Sequence, residues 1–172
     1  MVLFITINVT GTLVIKDELD YQCNSNSNAW GPMLIVSEDK KSYINIDFEE
    51  DELEHLPSVR VSVSIRNAEF SGCNNRVWLE LDIFKAFISE LEVIDMNRKG
   101  SAALGSMSPD DFSLKIETYG LTGHLTLRYK LSKSMYCPEH TCLSITGGFE
   151  LDTSNFSNLV KEFKRFLQKY FY

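Results

Sequence analysis

Residues 78–131 read WLELDIFKAFISELEVIDMNRKGSAALGSMSPDDFSLKIETYGLTGHLTLRYKL, and the change of hydrophobic period within them decides the fold class. Phe84, Phe87, Leu91 and Ile94 recur at steps of three and four, with Ile88 beside them, which predicts an amphipathic helix over about Asp82–Asn97. Asp82 is the expected N-cap, and Gly100, after Arg98 and Lys99, the expected left-handed end. Ser101 to Leu104 reads as a short extended piece. In Ser106-Met107-Ser108-Pro109-Asp110-Asp111 the proline pushes Ser108 out of helical geometry, which predicts a turn. The period then drops to two. Phe112, Leu114 and Ile116 alternate with Ser113, Lys115 and Glu117; after Gly120–Gly123, Leu125, Leu127, Tyr129 and Leu131 alternate with polar residues. This is a helix followed by a two-faced hairpin.

Upstream the pattern is β. Val59, Val61, Val63 and Ile65 alternate strictly with Ser and Arg from Ser58 onward; the strand continues towards Phe70, turns at 72–75 and returns over Arg76–Leu79. Val2–Ile7 and Thr12–Ile15 read as a hairpin about Thr10-Gly11, Asp17–Trp30 as a polar loop, and Met33–Val36 and Tyr43–Ile46 as strands. Downstream, Ser132–Thr141 reads as a loop and Cys142–Leu151 as a last strand relaxed at Gly147-Gly148. Asp152 or Ser154 then caps a helix with Phe156, Val160, Phe163 and Phe166 on one side. There is no βαβ alternation. The expected fold is a single α+β domain over residues 1–172: an antiparallel sheet of about seven to nine strands with two amphipathic helices packed on one face.

A chain of 172 residues with 44% apolar content buries roughly 70% of its unfolded surface and needs no staple. The net charge of −7 is uneven. Residues 1–57 carry 11 acids against three bases, a balance of −8, while the remaining 13 acids and 14 bases leave +1. Such a front disfavours direct contact with nucleic acid or an anionic membrane and suits a basic partner. Four cysteines are sparse for a disulfide framework. The short apolar start lacks a basic lead-in and a cleavage pattern, and no run reaches the roughly 20 apolar residues of a membrane helix. A cytoplasmic monomer is expected.

The candidate sites carry competing readings. Asp47, Glu49, Glu50, Asp51, Glu52 and Glu54 make the most acidic run. It is either a solvated loop or short helix, with Phe48, Leu53 and Leu56 as anchors, or a contact patch for a basic partner. Trp30, in a polar loop before Gly31-Pro32, is either a loop pin or a partner anchor. Cys137, His140 and Cys142 lie within six residues: an ordinary loop, a disulfide, or three of the four ligands a structural zinc needs. Trp78 reads as core. His124 reads as a structural turn residue, the alternative being the base of a small-molecule or enzyme site. No nucleophile elbow, phosphate loop or dinucleotide fingerprint is present, so neither catalysis nor a cofactor is expected.

Trp78, Phe84, Phe87, Leu91, Gly100-Ser101-Ala102, Ser106-Met107-Ser108-Pro109, Phe112, Gly123-His124 and Phe149-Glu150-Leu151-Asp152 together resemble the WapI-type immunity proteins of bacterial polymorphic toxin systems. The resemblance spans about residues 70–155. It implies a small cytosolic protein that binds and blocks the toxic C-terminal domain of a cognate toxin, often a nuclease. On that reading Trp78, Phe84, Gly100, Pro109 and His124 shape the scaffold, and specificity sits on the variable surface; charge steering separately points to the acidic run, with Trp30 as an anchor.

Overall fold

The computed structural model of the chain describes residues 33–108, 110–120, 123–135 and 141–171. The expected Val2–Ile15 hairpin, the loop to Trp30, Pro109, Cys137 and His140 lie outside the described residues. Eight strands and two helices follow in the order β1 (Met33–Val36), β2 (Ser42–Glu52), β3 (Ser58–Asn67), β4 (Phe70–Glu80), α1 (Leu81–Asn97), β5 (Ser101–Gly105), β6 (Phe112–Tyr119), β7 (His124–Met135), β8 (Thr141–Leu151) and α2 (Phe156–Phe171).

The α+β class and the antiparallel pairing are as expected, but the single sheet is not. The strands form two four-stranded antiparallel sheets, β1-β2-β3-β4 and β5-β6-β7-β8, each joined through adjacent hairpins. The physical reason lies at residues 81–97: α1 leaves β4 at its edge, so the chain returns as the edge of a second sheet. Specific bonds tie the sheets together. Ser37 bridges Leu151, Met107 N donates to Trp78 O at 2.8 Å, and Asn74 Nδ2 donates to Ser132 O at 2.7 Å. Between the sheets and helices runs one apolar core containing Ile44, Val61, Val77, Leu114 and Leu127.

The ends of α1 differ from the expectation. Glu80, not Asp82, is the N-cap and makes no side-chain cap bond. Instead the amide of Leu81 donates to Pro57 O at 2.8 Å, so the chain itself satisfies an orphan donor. Asp82 lies in the first turn, where its charge suits the dipole. At the other end Arg98 adopts the left-handed conformation and donates its amide to Ile94 O. Gly100 serves β5 instead: its N–H reaches Thr118 Oγ1 at 3.0 Å and its carbonyl accepts Thr118 N–H. Gly123, at φ +71°, fits the β6–β7 turn against the helix end, where a Cβ would sit 3.4 Å from Arg98 O.

Ser106 closes the β5–β6 turn. Its hydroxyl accepts Phe112 N–H at 3.0 Å and its own N–H donates to Phe112 O at 2.9 Å. β7 runs on to Met135 inside the expected loop, and β8 packs so closely on it that a Cβ at Gly148 would fall 2.5 Å from Leu127 O.

The helices meet through phenylalanines. The Phe163 ring lies 5.3 Å from Phe87 and 6.1 Å from Phe84, and Phe166 lies 5.6 Å from Phe84. Edge-on and tilted pairs of this kind add to simple burial. Phe48 of β2 reaches Phe166 at 6.4 Å, so α2 is held by both a helix and a strand. Phe163 is fully buried. Phe163→Ala is expected to lower unfolding free energy by about 3–5 kcal/mol in urea denaturation; a loss below about 1 kcal/mol would show that α2 does not dock as described.

Candidate functional site

The acidic run is neither a loop nor a helix for most of its length. β2 continues through it to Glu52, pairing Asp47 with Ser62, Glu50 with Arg60, Asp51 with Val59 and Glu52 with Ser58. The register shifts between Phe48 and Glu50, which leaves Glu49 as an extra residue on the bulged strand. The bulge keeps Phe48 packed against the core, Glu49 is half-buried, and Glu50, Asp51 and Glu52 are exposed at the end of the strand. β-Structure therefore extends where repulsion between neighbouring carboxylates alone would favour a solvated coil. What holds it is the β3 ladder, whose alternate valines are buried.

The charges are not equivalent. Arg60 Nε lies 2.9 Å from Glu50 Oε1. This is an ion pair without hydrogen-bond geometry, since the buried Nε–H is not aimed at the oxygen. Glu52 Oε1 accepts the amides of Glu54 at 2.9 Å and His55 at 3.4 Å, which shapes the turn. Glu49, Asp51 and Glu54 have no cationic partner among the described residues. Asp47 is different again. Burial raises its carboxyl above the ordinary aspartate value, partly offset by the 2.7 Å bond from Asn45 Nδ2. Of the three expected anchors only Phe48 packs on the body. Leu53 and Leu56 are each 47% exposed, so the hairpin end offers two leucines among its acids.

Trp78 is not a core residue. Val77 and Leu79 take the buried face of β4, and the two-residue period turns Trp78 to the opposite side, where it is half-buried across from Arg60. Glu50, Arg60 and Trp78 thus line up across β2, β3 and β4, adding an aromatic to the acidic surface. The signal was present in the flanking pair Val77 and Leu79. Trp30 lies outside the described residues.

The other candidates are not brought together. His124 is exposed, stacked 5.5 Å from the Tyr119 ring. The Tyr119 hydroxyl donates to the Glu150 carboxylate, which raises the phenol above its usual value. An open cleft lies elsewhere, between α1 and α2, lined by Ile88, Ser89, Glu92, Lys164 and Leu167 and bridged by a Glu92–Lys164 ion pair. Cys142 is a free, exposed thiol, so it makes no disulfide with Cys137, whereas Cys73 is disulfide-bonded. Among the described residues no cluster of histidine, cysteine or acids has metal-binding geometry, and no helix is long and apolar enough to cross a membrane.

The profile of the immunity protein WapI-like family matches residues 34–170. No curated protein and no solved structure matches the chain.

Asp47 gives the surface a pH signature. Its folded carboxyl titrates above the unfolded value, so its stabilising contribution is complete below the unfolded pKa, near 4, and is lost as pH rises through the folded value. Asp47→Asn should therefore raise the urea midpoint at neutral pH, and the gain should vanish as pH falls to about 4. An unchanged midpoint at neutral pH would show that Asp47 is not desolvated.

Proposed function

The chain belongs to the immunity protein WapI-like family, and from that premise we propose that it neutralises the toxic domain of a cognate toxin by direct binding in the cytoplasm, without catalysis. The proposed contact surface is the acidic end of the β2–β3 hairpin: Asp47, Glu49, Glu50, Asp51, Glu52 and Glu54, together with Trp30.

One observation carries this reading. β2 stays paired with β3 through Glu52, which fixes Glu50, Asp51 and Glu52 on the ladder with Glu49 at its bulge and Glu54 in the turn that follows; Glu49, Asp51 and Glu54 have no cationic partners among the described residues. Preorganised charge is presented without the ordering cost that a coil would meet on binding. An opposite field then accelerates encounter, and the leucines beside it supply apolar contact once the partners dock. A nuclease fits this chemistry, because an enzyme that grips phosphates must carry a basic surface. Asp47 should contribute little, since it is half-buried and burial raises its carboxyl above the ordinary aspartate value.

The test uses the toxic domain of the proposed cognate toxin. In stopped-flow mixing at low salt, combined Glu49→Lys, Asp51→Lys and Glu54→Lys substitutions should slow association at least about 10-fold, flatten its salt dependence and abolish protection on co-expression. An unchanged association rate and full protection would mean that this end of the hairpin is only a solvated surface.

A further inference from the structure

The acids at the end of the first sheet divide between its two faces. Residues paired directly across antiparallel strands turn their side chains to the same side. Glu52, Ser58 and Glu80 therefore form one row across β2, β3 and β4, and Glu50, Arg60 and Trp78 form the next. Both rows belong to the outer face. Asp51 pairs with the buried Val59 and so belongs to the inner side, where Phe48 meets Phe166 of α2. The apolar core and the helices packed on it take that inner side.

On the outer face the row through Ser58 is a low floor between taller side chains. Ser58 is buried, and its hydroxyl turns back to donate to Leu56 O at 2.8 Å. Glu52 and Glu80 flank it, roughly 10 Å apart at the backbone, which is two strand spacings. Trp78, two residues before Glu80, flanks the floor on β4. Its strand is tied from behind: Trp78 O accepts Met107 N–H and Pro57 O accepts Leu81 N–H, each at 2.8 Å. Glu80 is half-buried, makes no cap bond and has no cationic partner among the described residues. Arg60, the one base in the two rows, lies 2.9 Å from Glu50, which leaves the charge of Glu52 and Glu80 in excess. Arg76 lies two residues before Trp78, further from this end of the sheet.

We infer that this outer face is where the toxic domain docks, with an arginine of its basic surface laid over Ser58, between the carboxylates of Glu52 and Glu80 and against the Trp78 ring. The inference rests on the proposed function and names its point of contact. Charge complementarity selects the occupant. A guanidinium can donate to two carboxylates at once while its plane stacks on an aromatic face, whereas an ammonium is a single point charge. An apolar segment would bury both carboxylates without compensation, and a nucleic acid would set phosphates against them. The acids of the hairpin end then separate by task. Glu49, Asp51 and Glu54 act through their field before contact. Glu52 acts at contact, together with Glu80 and Trp78, two residues that the acidic run itself does not include. Trp78 therefore governs how long the complex lasts, while the field governs how fast it forms.

Binding kinetics with the toxic domain of the proposed cognate toxin separate these roles. Trp78→Ala and Glu80→Gln should each speed dissociation at least about 10-fold and change the association rate less than about 3-fold. A second measurement needs no variant in the complex. In the full chain labelled with fluorotryptophan, the Trp78 resonance, assigned by its absence in Trp78→Phe, should shift in fluorine NMR when the toxic domain is added. A complex that forms with this resonance unmoved, or with both dissociation rates unchanged, overturns the inference and leaves the proposed function standing. The absence of any complex with the unsubstituted chain overturns both.

Discussion

Asn74 is the buried amide on which the arrangement of the two sheets depends. Only 3% of it is exposed. Its Nδ2 donates to Ser132 O at 2.7 Å while its Oδ1 accepts the amide of Arg76 at 3.0 Å, so both ends of the side chain are satisfied. The register shift between Val61 and Val63 is what turns Asn74 towards the second sheet. An apolar residue there would leave a buried carbonyl unpaired, at a cost of about 1–3 kcal/mol. With Asn74 in place, β4 has only one way to cross β7 and β8. That crossing puts Gly72 on Ile145, while Phe70, two residues earlier, is exposed.

Local pattern carried much of this fold, and its failures have identifiable causes. The alternation in Ser58–Ile65 and the spacing of Phe84, Phe87, Leu91 and Ile94 each specify one face of one element, and those elements form as expected. The number of sheets is a different kind of fact. It depends on whether β4 pairs with β5, and α1 between them separates the two strands, which no single-element period reveals. The N-cap was misplaced because the orphan amide is satisfied by Pro57, 24 residues before Leu81, instead of by a neighbouring side chain. Charge density hid the true length of β2. Six acids within eight residues look like coil, yet the buried valines of β3 outweigh their mutual repulsion.

At the candidate surface, the acids were legible and their arrangement was not. Composition alone located the run from Asp47 to Glu54. It could not distinguish Glu50, which Arg60 partly neutralises, from Asp51, which points the other way and has no cationic partner among the described residues. Nor could it separate Asp47, whose burial works against ionisation, from its exposed neighbours. Trp78 shows the converse error. Its position leading into the helix suggested the core, whereas its place between Val77 and Leu79 puts it on the outer face beside Arg60.

The two ends of β3 do different physical work. At Ser58 the hairpin carries charge that acts over distances comparable with the screening length, about 8 Å at physiological salt, and therefore governs encounter. At Asn67 the side-chain amide reaches Gly148 O of the second sheet at 3.3 Å beside the exposed Phe70, and such contacts act only at short range. Separating them by the length of a strand means that the field of the first end does little to the pairing of the second. The valines of β3 hold both ends on one rigid element, so stability, charge display and edge geometry all rest on the same buried row.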